Sequence, residues 1–218
     1  MSLSKPSKEY FKNLKYYKKM HSEGFKLING KVREAKIAYD GHSTLVFAKI
    51  IKNIITKNQI TTMLDYGCGK AFYYDNPSKT NGLEIKSLKN YWDIDISLYD
   101  PCYEKYSDLK NIKYDLVISI DVLEHIPSQD IDWVLDNIIG KAKKYVFINL
   151  ACYPAVALLP NGKNAHININ EPMWWHEKIL NLKRKYTKVK IICICALKEN
   201  GNYKYFPLQY DDKISNYS

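Results

Sequence analysis

The sequence predicts an α/β fold in which helices cover a mostly parallel sheet. Three segments, near residues 62–64, 95–99 and 114–120, each have the pattern of a strand, and each is followed by an acid. The last of them is apolar almost throughout, which is typical of a central parallel strand covered on both faces. Nearer the carboxyl end, residues 189–196 and 203–207 flank Asn200-Gly201, a pair that favours an antiparallel hairpin.

Length, charge and cysteine content limit the classes of protein. A chain of 218 residues suits one domain with a sizeable core. The formal net charge of +10 would suit a polyanionic partner, but only Arg33 and Arg184 are arginines, the residue best suited to bidentate nucleic-acid contacts. Five cysteines without a C-x-x-C pair favour a reducing compartment. No apolar run of about 18 residues and no leader pattern is found, so we expect a cytoplasmic protein without a membrane span.

Residues 1–57 are predicted to form an N-terminal helical segment that precedes the main domain at residues 58–218. A helix over residues 8–19 has Tyr10, Leu14 and Tyr17 on one stripe and ends before Gly24. We interpret it as a lid or a packing helix. Ser43 is the predicted N-cap of a second helix, which runs to about residue 57. The apolar residues that turn this helix towards the sheet are Phe47, Ile50, Ile51, Ile54 and Ile55.

The first strand of the main domain is followed by a glycine turn, Asp65-Tyr-Gly-Cys-Gly-Lys-Ala71. Gly67 and Gly69 carry no Cβ, so the backbone can approach a ligand closely. Asp65 lies at the carboxyl end of a strand, where open α/β sheets bind ligands. This combination predicts a nucleotide-like cofactor, and a tight turn without a ligand is the alternative. Pro77 allows only a short helix after the turn.

Two further acids follow the next two strands, Asp100 before Pro101 and Asp121 before Val122. A carboxylate at such a strand end can accept two donors at once, as from a ribose diol, although an acid before a turn proline is also common without a ligand. Ser128 is the predicted N-cap of a helix that Gly140 ends. A strand at residues 145–150, a loop at residues 151–170 with His166, and a helix opened by Pro172 complete the fold.

The order of strands, acids and glycines over residues 61–207 resembles the class I S-adenosylmethionine-dependent methyltransferases. Four segments also resemble a group of bacterial and phage methyltransferases: the glycine turn, Leu-Tyr-Asp-Pro at 98–101, Asp-Val-Leu-Glu-His-Ile-Pro at 121–127, and Asn-Ala-His at 164–166, which a Trp-Trp pair follows. The resemblance implies a Rossmann-like sheet of seven strands, mostly parallel, with an antiparallel terminal hairpin. Ala71 replaces the third glycine of the family pattern, which is acceptable where φ stays negative, and no strand is evident between Asp100 and Tyr114.

The resemblance implies S-adenosyl-L-methionine as cofactor and methyl transfer to an oxygen or nitrogen of a small molecule. The cofactor-binding residues that it implies are Asp65, Tyr66, Gly67, Cys68, Gly69, Asp100, Pro101, Asp121 and Val122. His125 and His166 are the candidate catalytic bases. An RNA methyltransferase and a cofactor-binding protein without transfer activity remain the alternative functions.

A metal site is a further hypothesis. Asp121-x-x-Glu124-His125 resembles the metal-binding triplet of small-RNA 2′-O-methyltransferases and of ubiquinone-pathway O-methyltransferases, and His166 would be a fourth ligand. Mg²⁺ or Mn²⁺ at these residues would lower the pKa of an acceptor hydroxyl. The alternative is that Glu124 and His125 serve only hydrogen bonding within the loop.

Overall fold

A six-stranded sheet with helices on both faces forms the centre of the computed structural model, which describes residues 5–80, 82–208 and 210–211. In chain order the elements are α1 (Lys8–Glu23), β1 (Phe25–Lys26), β2 (Val32–Arg33), α2 (His42–Val46), α3 (Ala48–Lys57), β3 (Thr62–Tyr66), β4 (Ser78–Thr80), β5 (Leu83–Ile85), α4 (Leu88–Trp92), β6 (Asp95–Tyr99), β7 (Tyr114–Ile120), α5 (Ile131–Gly140), β8 (Ala142–Ala151), α6 (Pro172–Lys183), β9 (Lys190–Glu199) and β10 (Asn202–Leu208).

The strand order of the central sheet is β10-β9-β8-β7-β3-β6. Every neighbouring pair is parallel except β9 and β10, which form the predicted antiparallel hairpin. The α/β prediction is confirmed, but the expectation of seven strands is wrong. Between Asp100 and Tyr114, where the additional strand was expected, the chain forms only a short 3-10 turn at Glu104–Tyr106. Strand β6 is therefore one edge of the sheet.

The strand order reverses at β3, and this reversal positions the site. The chain lays β6 on one side of β3 and then crosses to place β7 on the other side. In open α/β sheets, ligands bind in the crevice beyond the carboxyl ends of the strands at such a reversal. The glycine turn after β3 and Asp121 after β7 consequently lie next to each other.

Two apolar cores cover the two faces of the sheet, as predicted for a buried central strand. All seven residues of β7 are buried, and its apolar residues are divided between the two cores. One core joins Val117 to α5, α6 and Tyr10 of α1, and the other joins Leu116 to α3 and α4. Cys193 and Cys195, which alternate along β9, both belong to the first core, so their side chains share one face of the sheet.

Helix α1 begins and ends close to the predicted positions. Ser7 caps its first turn by accepting the N–H of Tyr10, and Gly24, with φ of +81°, ends it. Tyr10 and Tyr17 are buried, as the stripe predicts. Helix α3 packs on the sheet with Ile51 and Ile54 in the second core, so this part of residues 1–57 belongs to the helix layer of the sheet.

Two predicted helix caps are wrong. The helix at residues 42–57 is interrupted at Phe47, its first part begins after Gly41, and Ser43 lies inside it. Ser128 precedes α5 in a 3-10 turn, and its hydroxyl donates to Asn168 Oδ1 at 2.7 Å. Each of the two serine hydroxyls instead forms a hydrogen bond with a residue far along the chain, Ser43 with Asp121 and Ser128 with Asn168.

Only a short helical segment follows the glycine turn, as Pro77 predicts. Ala71 has φ of +50°, so the condition of a negative φ for an alanine in place of the third glycine is not met, and a single 3-10 turn at Phe72–Tyr74 follows it. An alanine in this left-handed conformation is strained. Among the helices of the described residues, none has both the length and the apolar character that crossing a bilayer requires.

Candidate functional site

A cavity of about 680 Å³ opens at the carboxyl ends of β3, β6 and β7, where the strand order reverses. This volume lies within the range of about 300–1,000 Å³ that is usual for small-molecule sites. Most residues singled out from the sequence line it. They are Tyr66, Gly67, Cys68, Gly69, Asp100, Pro101, Asp121, Val122, His125 and His166. Asp65 and Glu124 do not line it.

The opposite wall comes from the N-terminal segment, which was interpreted as a lid or a packing helix and none of whose residues was singled out for the site. Tyr10, Tyr17 and His21 of α1 line the cavity, as do Arg33 and Tyr39 from the chain that follows. The aromatic stripe of α1 was the only sequence signal for this wall. The hydroxyl of Tyr17 lies 2.7 Å from Nδ1 of His125, so α1 contacts the predicted site directly.

The backbone N–H groups of the glycine turn all donate to acceptors within the chain itself. From residue 67 to residue 72 each N–H has an acceptor: Gly67 and Cys68 donate to Tyr99 O, Gly69 to Asp100 Oδ2, Lys70 to Tyr39 O, Ala71 to Cys68 O, and Phe72 to Asp40 O. Phosphate-binding turns present free N–H groups to the ligand. This turn has none to offer, so it is unsuited to a pyrophosphate.

Both glycines of the turn are required by contacts within the chain. A Cβ on Gly67, which has φ of +92°, would lie 2.3 Å from Cγ2 of Val122. A Cβ on Gly69 would lie 2.4 Å from the carbonyl oxygen of Tyr39. The glycines therefore allow other segments of the protein to approach the turn closely. The hypothesis of a tight turn without a ligand is enough to explain them.

Asp100 is one of the acids that line the cavity. Its Oδ1 accepts the N–H of Cys102 at 2.7 Å and its Oδ2 accepts the N–H of Gly69 at 2.9 Å. Burial raises the pKa of Asp100, and these backbone hydrogen bonds oppose the shift. A carboxylate offers about four acceptor positions, so each oxygen retains capacity for a ligand donor.

Asp65 has an internal partner instead. Its Oδ2 accepts the hydroxyl of Tyr74 at 2.6 Å, and the carboxyl group is buried. Burial raises the pKa of Asp65 to about 7. The Tyr74 hydrogen bond opposes this rise, and the nearby charge of Asp100 adds to it. Asp65 thus lies near the carboxyl end of β3 and Asp100 follows the neighbouring β6, but Asp65 anchors the segment after the glycine turn and does not line the cavity.

Two imidazoles line the cavity, and the Nδ1 atom of each lies against a backbone carbonyl oxygen. Nδ1 of His125 lies 3.0 Å from Ala165 O, and Nδ1 of His166 lies 2.5 Å from Tyr153 O. The hydroxyl of Tyr17 donates to Ala165 O at 2.8 Å, so towards His125 Nδ1 it acts as an acceptor. Because a carbonyl oxygen also only accepts, each Nδ1 carries the hydrogen and each Nε2 carries a lone pair. Burial lowers the pKa of His125 to about 3 and also lowers that of His166. Both rings are therefore neutral near pH 7.

Glu124 lies behind the two imidazoles and is fully buried. Its Oε1 accepts the N–H of Ala151 at 3.1 Å and lies 4.0 Å from Nε2 of His166. Its Oε2 has no hydrogen-bond partner among the described residues. Burial raises the pKa of Glu124 well above its usual range, and the charge of Asp121 raises it further. A buried oxygen without a donor is costly, so this oxygen requires a proton or a ligand.

The structure brings three of the four predicted metal-ligand candidates together. Ligand atoms of Glu124, His125 and His166 all lie within 4.8 Å of one another. Asp121 is outside this cluster. It has φ of +53°, and the hydroxyl of Ser43 donates to its carboxylate, although burial still raises its pKa. Such left-handed residues store strain, and strained residues concentrate at functional sites.

We compared the chain with protein-family models, curated proteins and solved structures. None of the three comparisons gives a match. The function is therefore inferred from the site alone.

Proposed function

We propose that the protein is an S-adenosylmethionine-dependent methyltransferase that acts on an oxygen or nitrogen of a small molecule. The observation that carries this proposal is Asp100, a cavity-facing carboxylate bonded to a glycine turn whose N–H groups are all engaged. A dinucleotide would need free N–H groups for its pyrophosphate. A nucleoside cofactor without phosphate needs only acceptors for its two ribose hydroxyls, and the free acceptor positions of Asp100 supply them.

The cavity provides what methyl transfer requires of a protein. When bound, S-adenosylmethionine supplies an electrophilic methyl group on a good leaving group. The chain must hold the acceptor in line and exclude water, and α1 and Tyr39 wall the cavity opposite the strand ends. Transfer would form the bond from the acceptor atom to the methyl carbon and break the sulfur–carbon bond. His166 is the proposed base, because its Nε2 lone pair can take the proton that the acceptor releases.

Calorimetry with S-adenosylhomocysteine tests the cofactor assignment. We expect Asp100→Asn to lower the affinity about tenfold or more, because it replaces a charged acceptor of the ribose hydroxyls by a neutral amide. His166→Gln is expected to retain binding and to lose turnover. Asp108→Asn, which changes an exposed acid that does not line the cavity, is the control.

Thermal unfolding of each variant separates lost binding from lost folding. A wild-type chain that binds neither S-adenosylmethionine nor S-adenosylhomocysteine would refute the assignment. Binding without methylation of any acceptor in a broad activity screen would instead favour the alternative of a cofactor-binding protein.

A metal-assisted form of the same transfer is the second candidate, and the unpartnered Oε2 of Glu124 favours it. Glu124 would bind a divalent cation together with the Nε2 atoms of His125 and His166, whose rings are held by carbonyl groups at Nδ1. Such outer hydrogen bonds are typical of metal-binding histidines. Two nitrogen donors favour Mn²⁺ over Mg²⁺, which prefers oxygen ligands. His166 would then be a ligand and not the base.

Mn²⁺ titration distinguishes the two forms. We expect Mn²⁺ to bind the wild-type chain and to raise its melting temperature, since a ligand that binds only the folded state stabilises it. Glu124→Gln should weaken Mn²⁺ binding at least tenfold, because the neutral amide is a poor ligand. Glu104→Gln changes an exposed acid that does not line the cavity and serves as the control. A wild-type chain that neither binds nor is stabilised by millimolar Mn²⁺ contradicts the metal-assisted form and leaves His166 as base.

A further inference from the structure

A second cavity, of about 580 Å³, lies between α1 and the loop at residues 159–167. The proposed transfer does not use it. Its walls combine lysines with a few apolar groups, among them Tyr16, Leu159 and Ile167. It is large enough to hold a sugar-sized molecule.

Two side chains, Asn13 and His166, line both cavities. They therefore stand at the junction between the cofactor cavity and the second one. A molecule seated in the second cavity meets the same imidazole that the proposed transfer uses. This placement suits a methyl acceptor that is held apart from the cofactor and presents one group to His166.

The second cavity carries an excess of positive charge. Lys8, Lys12 and Lys163 line it, and no ion pair joins any of their ammonium groups to an acid in the part of the chain that the structure describes. Glu9 is the one acid among the lining residues, and it accepts a hydrogen bond from Gln129 Nε2. Three ammonium groups and one carboxylate leave a net charge of +2, which matches a phosphomonoester dianion. Lysine binds phosphate as a point charge.

Asn13 gives an independent indication of a ligand at the junction. It is 8% exposed, and its Nδ2 is buried without a hydrogen-bond partner among the described residues. A buried amide nitrogen without an acceptor is costly. A hydroxyl or phosphate oxygen of a bound molecule would satisfy it.

We propose that the second cavity binds the phosphate-bearing part of the methyl acceptor, so that the acceptor is a small phosphomonoester. Lys8, Lys12 and Lys163 hold the phosphate, and Asn13 and His166 receive the part of the molecule next to the methylated atom. This inference rests on the proposed function for the identity of the reaction, but the anion site itself does not depend on it. The volume of this cavity, about 580 Å³, matches a small molecule rather than a polynucleotide.

Calorimetry on the full chain with ribose 5-phosphate as the probe, and ribose as its uncharged counterpart, tests the site. We expect ribose 5-phosphate to bind and ribose not to bind. The double variant Lys12→Gln/Lys163→Gln should weaken binding of the phosphate at least tenfold, and Asn13→Ala severalfold. The control is Lys110→Gln/Lys143→Gln, which removes the same charge from exposed positions outside both cavities and should change nothing.

The arms of this experiment separate the two proposals. Unchanged S-adenosylhomocysteine affinity in the Lys12/Lys163 variant, together with lost ribose 5-phosphate binding, supports the inference. Phosphate binding by a chain that does not bind S-adenosylhomocysteine would overturn the proposed function and leave the anion site in place. Equal effects of the two lysine pairs, or no preference for ribose 5-phosphate over ribose, would overturn the site. Binding of a 12-nucleotide RNA but not of ribose 5-phosphate would overturn the small-molecule assignment.

Discussion

Gly67 and Val122 meet where the strand order of the sheet reverses, and their contact joins the turn after β3 to the segment after β7. The side chain of Val122 occupies the space that a Cβ on Gly67 would need. Gly67 also has φ of +92°, a conformation that residues with a Cβ rarely adopt. Two separate costs thus oppose any larger residue at this position, one steric and one conformational.

Gly67→Ala separates these costs when it is compared with Gly162→Ala. Gly162 has φ of +81°, and its Cβ would meet nothing within 4 Å, so this control carries only the conformational cost. We expect Gly162→Ala to lose about 1–2 kcal/mol of unfolding free energy and Gly67→Ala to lose about 1–3 kcal/mol more from the overlap. Val122→Ala in the Gly67→Ala background should recover part of the difference in urea unfolding. Equal losses in the two single variants would show that the Val122 contact is unimportant.

Single residues also show where sequence reasoning reaches its limit. The sequence indicates that Asp65 and Asp100 end neighbouring strands, because each follows an apolar run. It does not indicate which of them faces the cavity. Tyr74 reaches Asp65 only because Ala71 adopts a left-handed conformation and a 3-10 turn follows. No local pattern predicts that conformation for an alanine.

At the scale of elements, strands were easier to predict than helix ends. The runs that become β7 and β9 are apolar on both faces, and this composition alone requires a covered central position. The caps at Ser43 and Ser128 failed because each hydroxyl bonds to a residue far along the chain, Asp121 and Asn168. A capping pattern reports only local partners.

The position of α1 depends on contacts that the sequence could not show. Its stripe of Tyr10 and Tyr17 predicted a packed helix, but its place over the cavity is set by two distant hydrogen bonds. Ser7 donates from its hydroxyl to Asp130, and the Tyr17 hydroxyl meets Nδ1 of His125. Both pairs are more than 100 residues apart in the chain. The wall of the cavity, and with it the second cavity, therefore emerges only from the tertiary structure.

At the scale of the whole molecule, buried titratable groups couple folding stability to pH in two opposite directions. The ring of His21 stacks on Tyr103 and lies 4.6 Å from the ring of Tyr39, measured between centroids. Burial, with a smaller contribution from the charge of Lys70, lowers the pKa of His21 to about 4 from 6.5. Asp65 shifts the other way, since burial raises its pKa to about 7 from 3.8.

The two shifts predict different responses to acid. Below pH 6.5 the unfolded chain protonates His21 while the folded chain does not, so the contribution of His21 to stability falls as the pH falls towards 4. The unfolded chain deprotonates Asp65 above pH 3.8 while the folded chain keeps the proton, so the contribution of Asp65 falls as the pH rises towards 7. Both opposing slopes contribute to the pH profile of the wild-type chain.

His21→Gln isolates the histidine contribution. Between pH 7.5 and pH 5 we expect the variant to gain roughly 2 kcal/mol relative to the wild-type chain, because it cannot take up the proton that favours unfolding. Urea unfolding at the two pH values measures the difference, and His42→Gln, at an exposed position, is the control. Asp65→Asn should have the opposite effect and remove the loss of stability towards pH 7. The difference in unfolding free energy between His21→Gln and wild type could instead stay constant from pH 7.5 to pH 5. The ring would then take up its proton equally in the folded and the unfolded state, which contradicts its packing against Tyr39 and Tyr103.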